Sequence, residues 1–131
     1  MNREEIMIQL RDYLFARKDI VFAYLHGSFL HQEDYRDVDT AVFLSDKPGR
    51  PEDPLEYEMS LSLELEKKLR LPVDIKIFND APVSFRYHVS RGRLLFSKDE
   101  SVLENVLCRT WSEYFDFLPL ARVYMEEVAR A

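Results

Sequence analysis

Three short apolar runs, Ile20–Leu25, Val38–Leu44 and Val73–Phe78, dominate what this chain can become. Each is too short for a helix and rich enough in β-branched and aromatic residues to read as a buried strand. Helical patterns fill the spaces between them. Ile6, Leu10, Tyr13 and Leu14 place an amphipathic helix over residues 3–17, and the first strand run then stops at Gly27. Ser45–Pro51 reads as a loop. In the segment that follows, Tyr57, Met59, Leu61, Leu63 and Leu65 alternate as in a strand, but none is β-branched. Asp53-Pro54-Leu55-Glu56 decides for a helix over 54–70: Asp53 caps, Pro54 suits the first helical position, and Glu56 completes a capping box. After the Val73 strand come a short helix to about Gly92 and a fourth, edge-type strand at Leu94–Phe96. Ser97-Lys98-Asp99-Glu100 reads as a second capping box, opening a C-terminal helix over about 99–130. Its inner side is expected to carry Val102, Leu103, Val106, Trp111, Phe115 and Leu118, and Pro119 is expected to kink or break it. The alternation predicts one α/β (α+β) domain over 1–131, a small mixed sheet of three to four strands flanked by helices.

Composition removes several classes of function. At 131 residues, 47% hydrophobic and 13% aromatic, the chain can bury one real core without staples. The single Cys108 excludes an internal disulfide and disfavours a cysteine zinc site; it reads as a small buried hydrophobe. No run approaches the roughly 18 apolar residues of a membrane span. The N-terminus MNREEIMIQLRDYL mixes acids among its apolar residues, unlike a signal peptide, so a cytoplasmic location is expected. With 18 Lys+Arg against 24 Asp+Glu, the net charge of −6 opposes generic nucleic-acid binding. A small phosphate ligand stays open, because a metal and a helix N-terminus can hold one without net basic charge.

The chemistry-bearing residues are Gly27-Ser28, then Asp37-Val38-Asp39, then Asp74. Residues i and i+2 of a strand share a face, so Asp37 and Asp39 point the same way while Val38, Thr40 and Val42 pack inward. Two carboxylates about 4 Å apart repel by about 4 kcal/mol at an effective dielectric near 20. A fold keeps such a pair cheaply if a cation sits between them or both reach water. Mg²⁺ suits that arrangement, since it binds through one or two carboxylates and fills its shell with water and phosphates. Asp74 opens the third strand run, where it shares a face with Lys76, and that strand is expected to lie beside the first acidic one. Three acids at a sheet edge match the two-metal arrangement for phosphoryl or nucleotidyl transfer. On that reading Asp37 and Asp39 bind metal, and Asp74 binds a second metal or accepts the nucleophile's proton. Gly27 lets backbone N–H groups approach a phosphate, and Ser28 adds a hydroxyl. Each piece alone is common in proteins.

The order of the pieces carries more. A strand ending in Tyr24-Leu25-His26-Gly27-Ser28, an Asp37-Val38-Asp39 strand, a helix, and Val73-Asp74-Ile75 together resemble the polymerase-β-type nucleotidyltransferase superfamily. Ala81-Pro82, Arg91-Gly92-Arg93-Leu94-Leu95-Phe96 and Tyr114-Phe115-Asp116-Phe117 extend the likeness over nearly the whole chain, which resembles the minimal nucleotidyltransferase (MNT) family. That resemblance implies an antitoxin paired with a HEPN ribonuclease toxin. It further implies Mg²⁺-dependent transfer of AMP from ATP to a tyrosine of the toxin. Gly27 and Ser28 would hold the nucleotide phosphates, with Asp37, Asp39 and Asp74 as catalytic and metal-binding residues. The chain has no Arg followed four to six residues later by His, the HEPN signature, so it resembles the antitoxin.

Two alternatives stand beside this expectation. One is a catalytically weak binding module that neutralises the toxin by occlusion. The other is a small-molecule nucleotidyltransferase, disfavoured because 131 residues leave no room for an acceptor-holding helical domain. Eight residues separate Ser28 from Asp37, two fewer than in many members. An ungapped alignment would put Asp39 and Ala41 in the acidic slots; a gapped one keeps Asp37 and Asp39 there. The usual Ala-Arg-Gly after Gly-Ser is Leu30-His31-Gln32, leaving His31, Arg36 or Lys76 to meet phosphate. His26 reads as a packed or hydrogen-bonded residue, His88 as a helix-surface residue, and Arg86, Arg91 and Arg93 as a solvated helix end. Trp111, Tyr114, Phe115 and Phe117 read mostly as core, with a partner surface as the other use of such aromatics.

Overall fold

The chain runs α1 (Arg3–Phe15), β1 (Ile20–His26), α2 (Ser28–His31), β2 (Val38–Leu44), α3 (Pro54–Leu69), β3 (Val73–Ile77), α4 (Val83–Ser90), β4 (Arg93–Ser97) and α5 (Glu100–Arg130). The computed structural model describes residues 1–47 and 49–130; Pro48, within the predicted 45–51 loop, lies outside the described residues. The strands form one sheet in the order β3-β2-β1-β4. β1 pairs antiparallel with both β2 and β4, while β3 is parallel to β2, so the sheet is mixed.

Strand alternation sends side chains to two different cores. Ala23, Leu25, Val38, Val42, Val73 and Ile75 meet Leu10 and Leu14 of α1 and Leu61, Leu65 and Leu69 of α3. On the other face Phe22, Tyr24, Ala41 and Phe78 meet Val89 of α4 and Leu103 of α5. Phe22 stacks on Phe43 with ring centroids 4.7 Å apart and meets Phe78 edge-on at 5.6 Å. The leucine spacing of α3 answers the ambiguity of its sequence, since Leu61, Leu65 and Leu69 recur every four residues. Asp53 caps α3 as expected, its carboxylate accepting the Glu56 N–H at 3.1 Å with Pro54 at the first helical position.

The free edge of β3 is closed by side chains of α3. Val73 N–H donates to Glu66 at 3.2 Å, Ile75 N–H to Ser62 at 3.0 Å, and Ile77 N–H to Glu58 at 2.7 Å. Alternate backbone donors of an edge strand are thus met by one row of helix residues four apart. This satisfies groups that would otherwise invite another strand.

The C-terminal third departs from the sequence expectations. The cap of α5 is Asp99, which accepts the Val102 N–H at 3.2 Å; Ser97 belongs to β4, so the predicted capping box is displaced by two residues. α5 continues through Pro119, where the turn is exposed and water can meet the carbonyl that lost its donor. Trp111, Phe115, Phe117 and Leu118 are exposed rather than core, and Cys108 is exposed as well. The reason is positional: α5 meets the domain through Leu103, Val106, Leu107, buried Thr110 and finally Tyr114, then its apolar side outruns the surface it packs on.

Arg86 is a corrected reading too. Its side chain is 14% exposed and links α4 to α5. It donates to the Ala81 carbonyl at 2.8 Å, Thr110 Oγ1 at 3.3 Å and Glu113 at 2.6 Å. Tyr87 of α4 stacks on Tyr114 of α5 at 3.7 Å between centroids. Arg86→Ala is expected to destabilise the fold by about 2 kcal/mol, since Thr110 and Glu113 lose a charged donor. The urea midpoint measures this; an unchanged midpoint would mean that α5 does not depend on the link.

Candidate active site

β1 ends at His26, and the chain turns through Gly27 into α2. Gly27 has φ 81° and ψ −160°, a conformation that L side chains rarely adopt. A Cβ there would stand 2.3 Å from Asp39 Oδ2, so the Asp39 carboxylate lies directly against the Gly27 backbone. The connection from Ser28 to Asp37 is pinned from within. Phe29 of α2 is fully buried and meets Tyr35 edge-on at 4.6 Å. A second glycine backs the same corner: at Gly92 a Cβ would stand 2.3 Å from the Leu25 carbonyl oxygen and 3.4 Å from His26 Cβ.

Register then aligns the polar groups. His26 pairs with Asp39 across β1 and β2, and Asp39 pairs with Asp74 across β2 and β3. Asp37 immediately precedes β2. Ala41 is buried opposite Tyr24 and Lys76, so Asp39, not Ala41, lies level with His26 and Asp74. Of the candidate phosphate-contacting cations, Lys76 has its Nζ 3.9 Å from Asp74 Oδ1, while His31 and Arg36 are exposed outside the strands.

Electrostatics single out the central carboxyl. Burial, then the neighbouring Asp37 and Asp74, push the Asp39 carboxyl up to about 6. His26 is half-buried and edge-on to Phe85 at 5.5 Å, and its Nε2 has no hydrogen-bond partner among the described residues. Burial holds its imidazole below the ordinary histidine range, with Asp74 pulling the other way. Among the described residues no group of three His, Cys, Asp or Glu side chains is arranged to hold a metal ion. The carboxylates are therefore neighbours without a closed ligand triad. Their chemistry nonetheless suits a hard cation: oxygen donors of like charge, with Asp39 half-buried and making no side-chain hydrogen bond to another described residue.

The sequence reads His26 as a packed or hydrogen-bonded residue, which its contact with Phe85 agrees with, and Gly92 as a helix end, without showing that either lies at this corner. The signal for both was weak, because neither a strand-end His nor a Gly after a helix specifies what it will approach.

The family description "Polymerase beta, Nucleotidyltransferase" matches residues 9–101. The chain belongs to the polymerase beta nucleotidyltransferase family. Residues 9–101 hold β1 through β4 and all the acidic candidates, so the family match and the carboxylate cluster fall on the same part of the molecule. No curated protein matches the chain. Solved structures do. A chain of the tri-AMPylated Shewanella oneidensis HEPN toxin in complex with MNT antitoxin is 19% identical, with TM-score 0.76, covering 97% of this chain and 98% of its own. A chain of the MntA–HpeT toxin–antitoxin carrying two Asp-to-Glu mutations is 22% identical, with TM-score 0.74 and 98% of both chains covered. A toxin–antitoxin with AMP-PNP gives 23%, 0.73 and 98% of both chains. At these identities the likeness establishes that this chain shares their fold.

Two outcomes follow from the geometry around Asp39. Gly27→Ala is expected to destabilise the protein by about 2 kcal/mol or more, because it adds a Cβ at a left-handed φ against a carboxylate. Denaturant melting checks this, and an unchanged midpoint would remove the close approach. The second concerns pH. A carboxyl raised in the folded state binds its proton more tightly there than in the unfolded chain. Its contribution to stability is therefore present at low pH and lost as pH rises from about 4 through about 6. Discounted for solvent screening, Asp39→Asn should stabilise the metal-free protein above pH 6 by about 1 kcal/mol and have little effect near pH 4. Thermal melting at the two pH values measures the difference, and equal effects at both would contradict it.

Proposed function

We propose that this chain is the antitoxin of a HEPN/MNT toxin–antitoxin pair, acting in the cytoplasm. In this reading it transfers AMP from ATP to a tyrosine of the HEPN toxin and so inactivates it. The observation that carries the reading is Asp39, set against the Gly27 backbone and level with Asp74, with Asp37 beside it. Family membership supports nucleotidyl transfer, and the likeness to a tri-AMPylated HEPN toxin complex supports the choice of acceptor.

Each residue has a role in this scheme. Gly27 and Ser28 bind the β- and γ-phosphates at the end of β1. Asp37 and Asp39 would hold Mg²⁺, and Asp74 a second ion or the acceptor's proton. When bound, Mg²⁺ would supply neutralisation of the charge developing on the α-phosphate and the departing pyrophosphate. The tyrosine oxygen forms its bond to the α-phosphorus as the bond to the bridging oxygen breaks, and pyrophosphate leaves. The phenolic proton passes to Asp74, which is exposed beside Lys76. The exposed apolar side of α5 beyond Thr110 holds the toxin on the single 1–131 domain.

A second reading draws on the same tail. A surface of exposed Trp111, Phe115, Leu120, Tyr124 and Met125 can block a partner by contact alone, with the acids catalytically idle. Intact mass separates the two. The HEPN partner, incubated with this chain, ATP and Mg²⁺, should gain AMP, and Asp37→Ala/Asp39→Ala should abolish the gain while keeping the complex. A stable complex without added mass would favour occlusion.

A further inference from the structure

We propose that the seam between α3 and β3 is the docking track for the polypeptide segment that carries the acceptor hydroxyl, a segment combining apolar side chains with Lys or Arg. This rests on the transfer reading above. The seam is a groove of about 370 Å³ that includes Asp37, Asp74 and Lys76 in its lining. It shares Glu58 and Lys76 with a cleft of about 670 Å³ reaching Phe85. One wall is a helical row: Leu55, Met59 and Leu63, at i, i+4 and i+8, are 60%, 58% and 55% exposed. That row spans about 12 Å at the helical rise, the reach of several extended residues.

Its place on the sheet selects the occupant. In-line transfer puts the leaving pyrophosphate and the attacking oxygen on opposite sides of the α-phosphorus. Gly27 and Ser28 lie at the β1 end of the His26–Asp39–Asp74 register, so the attacking oxygen enters from the β3 side. The groove opens on that side. Its charges argue the same way. Besides Asp37 and Asp74, whose charge a bound metal would offset, Glu58 and Glu66 line the groove, and its one ammonium, Lys76, sits 3.9 Å from Asp74. Such a rim complements a basic segment. A second copy of this chain, with net charge −6, is a poor match.

Recognition here is by side chains. The edge N–H groups of Val73, Ile75 and Ile77 already donate to α3, so the segment cannot join the sheet as a further strand. The bond formed is from the segment's hydroxyl oxygen to the α-phosphorus, with pyrophosphate leaving and the proton passing to Asp74.

The test uses Met59→Glu/Leu63→Glu, two exposed positions outside the acidic cluster, with the HEPN partner as acceptor. ATP binding in the presence of Mg²⁺ should stay within about twofold of the native chain. AMP transfer at low partner concentration should fall by about tenfold or more, through KM for the partner, with kcat nearly kept. For the native chain, that KM should rise with salt. Unchanged transfer, or lost ATP binding, would overturn the proposal. A photo-crosslinking phenylalanine analogue in place of Leu63 supplies the independent arm, with native-chain transfer measured alongside. A crosslink to the partner peptide bearing the acceptor tyrosine is expected. That crosslink without any native transfer would keep the groove and defeat the transfer reading; no crosslink, or one elsewhere, would defeat the groove.

Discussion

The contact between the Asp39 carboxylate and the Gly27 backbone is the constraint around which the domain is organised. It holds if β1 turns sharply after His26, if β2 keeps its register with β1, and if no side chain stands at position 27. Each condition has its own support elsewhere. Buried Phe29 anchors the turn, and Gly92 lets the β4 approach lie against Leu25. Val38 and Val42, buried on the opposite face, fix which side of β2 carries Asp39. A one-residue slip would reverse both faces at once, so the hydrophobic core and the polar cluster enforce the same register.

This arrangement brings three acids near one another without neutralising them. Asp39 has its carboxyl raised to about 6 by burial and by Asp37 and Asp74, and the Lys76 ammonium stands beside Asp74, at 3.9 Å. A protein selected for stability alone would replace Asp39 with a neutral residue. Retaining an acid there fits a site whose charge is completed by what it binds.

Most of the fold was legible because the signals were periodic. The strands at residues 20, 38 and 73 came from short β-branched runs, and α3 came from its cap despite a strand-like alternation of its apolar residues. Order and spacing single out Asp37, Asp39 and Asp74 as candidates, and the sheet sets Asp39 level with Asp74 while Asp37 stands just before β2. What failed lies where periodicity is silent about surroundings. The stripe of α5 repeats faithfully past Thr110, but a sequence cannot say where the surface under a helix ends. Arg86 looked solvated because its three acceptors come from the α4 entry and from α5, positions distant or unremarkable in the sequence. Glu58, Ser62 and Glu66 read as the polar side of a helix, whereas they complete the backbone hydrogen bonding of β3.

The length of α5 has a consequence for the chain's life in solution. Its first turns are held by the domain and Tyr114 by Tyr87, but from Phe117 onward the helix offers apolar surface that no other described residue covers. Helical conformation in such a stretch rests on local propensity, so it opens at far lower free energy than the sheet beneath it. An uncovered copy therefore presents both a sticky face and a segment that proteases can grip. Any partner seated there removes the two hazards together, which ties the abundance of the free chain to the abundance of whatever binds it.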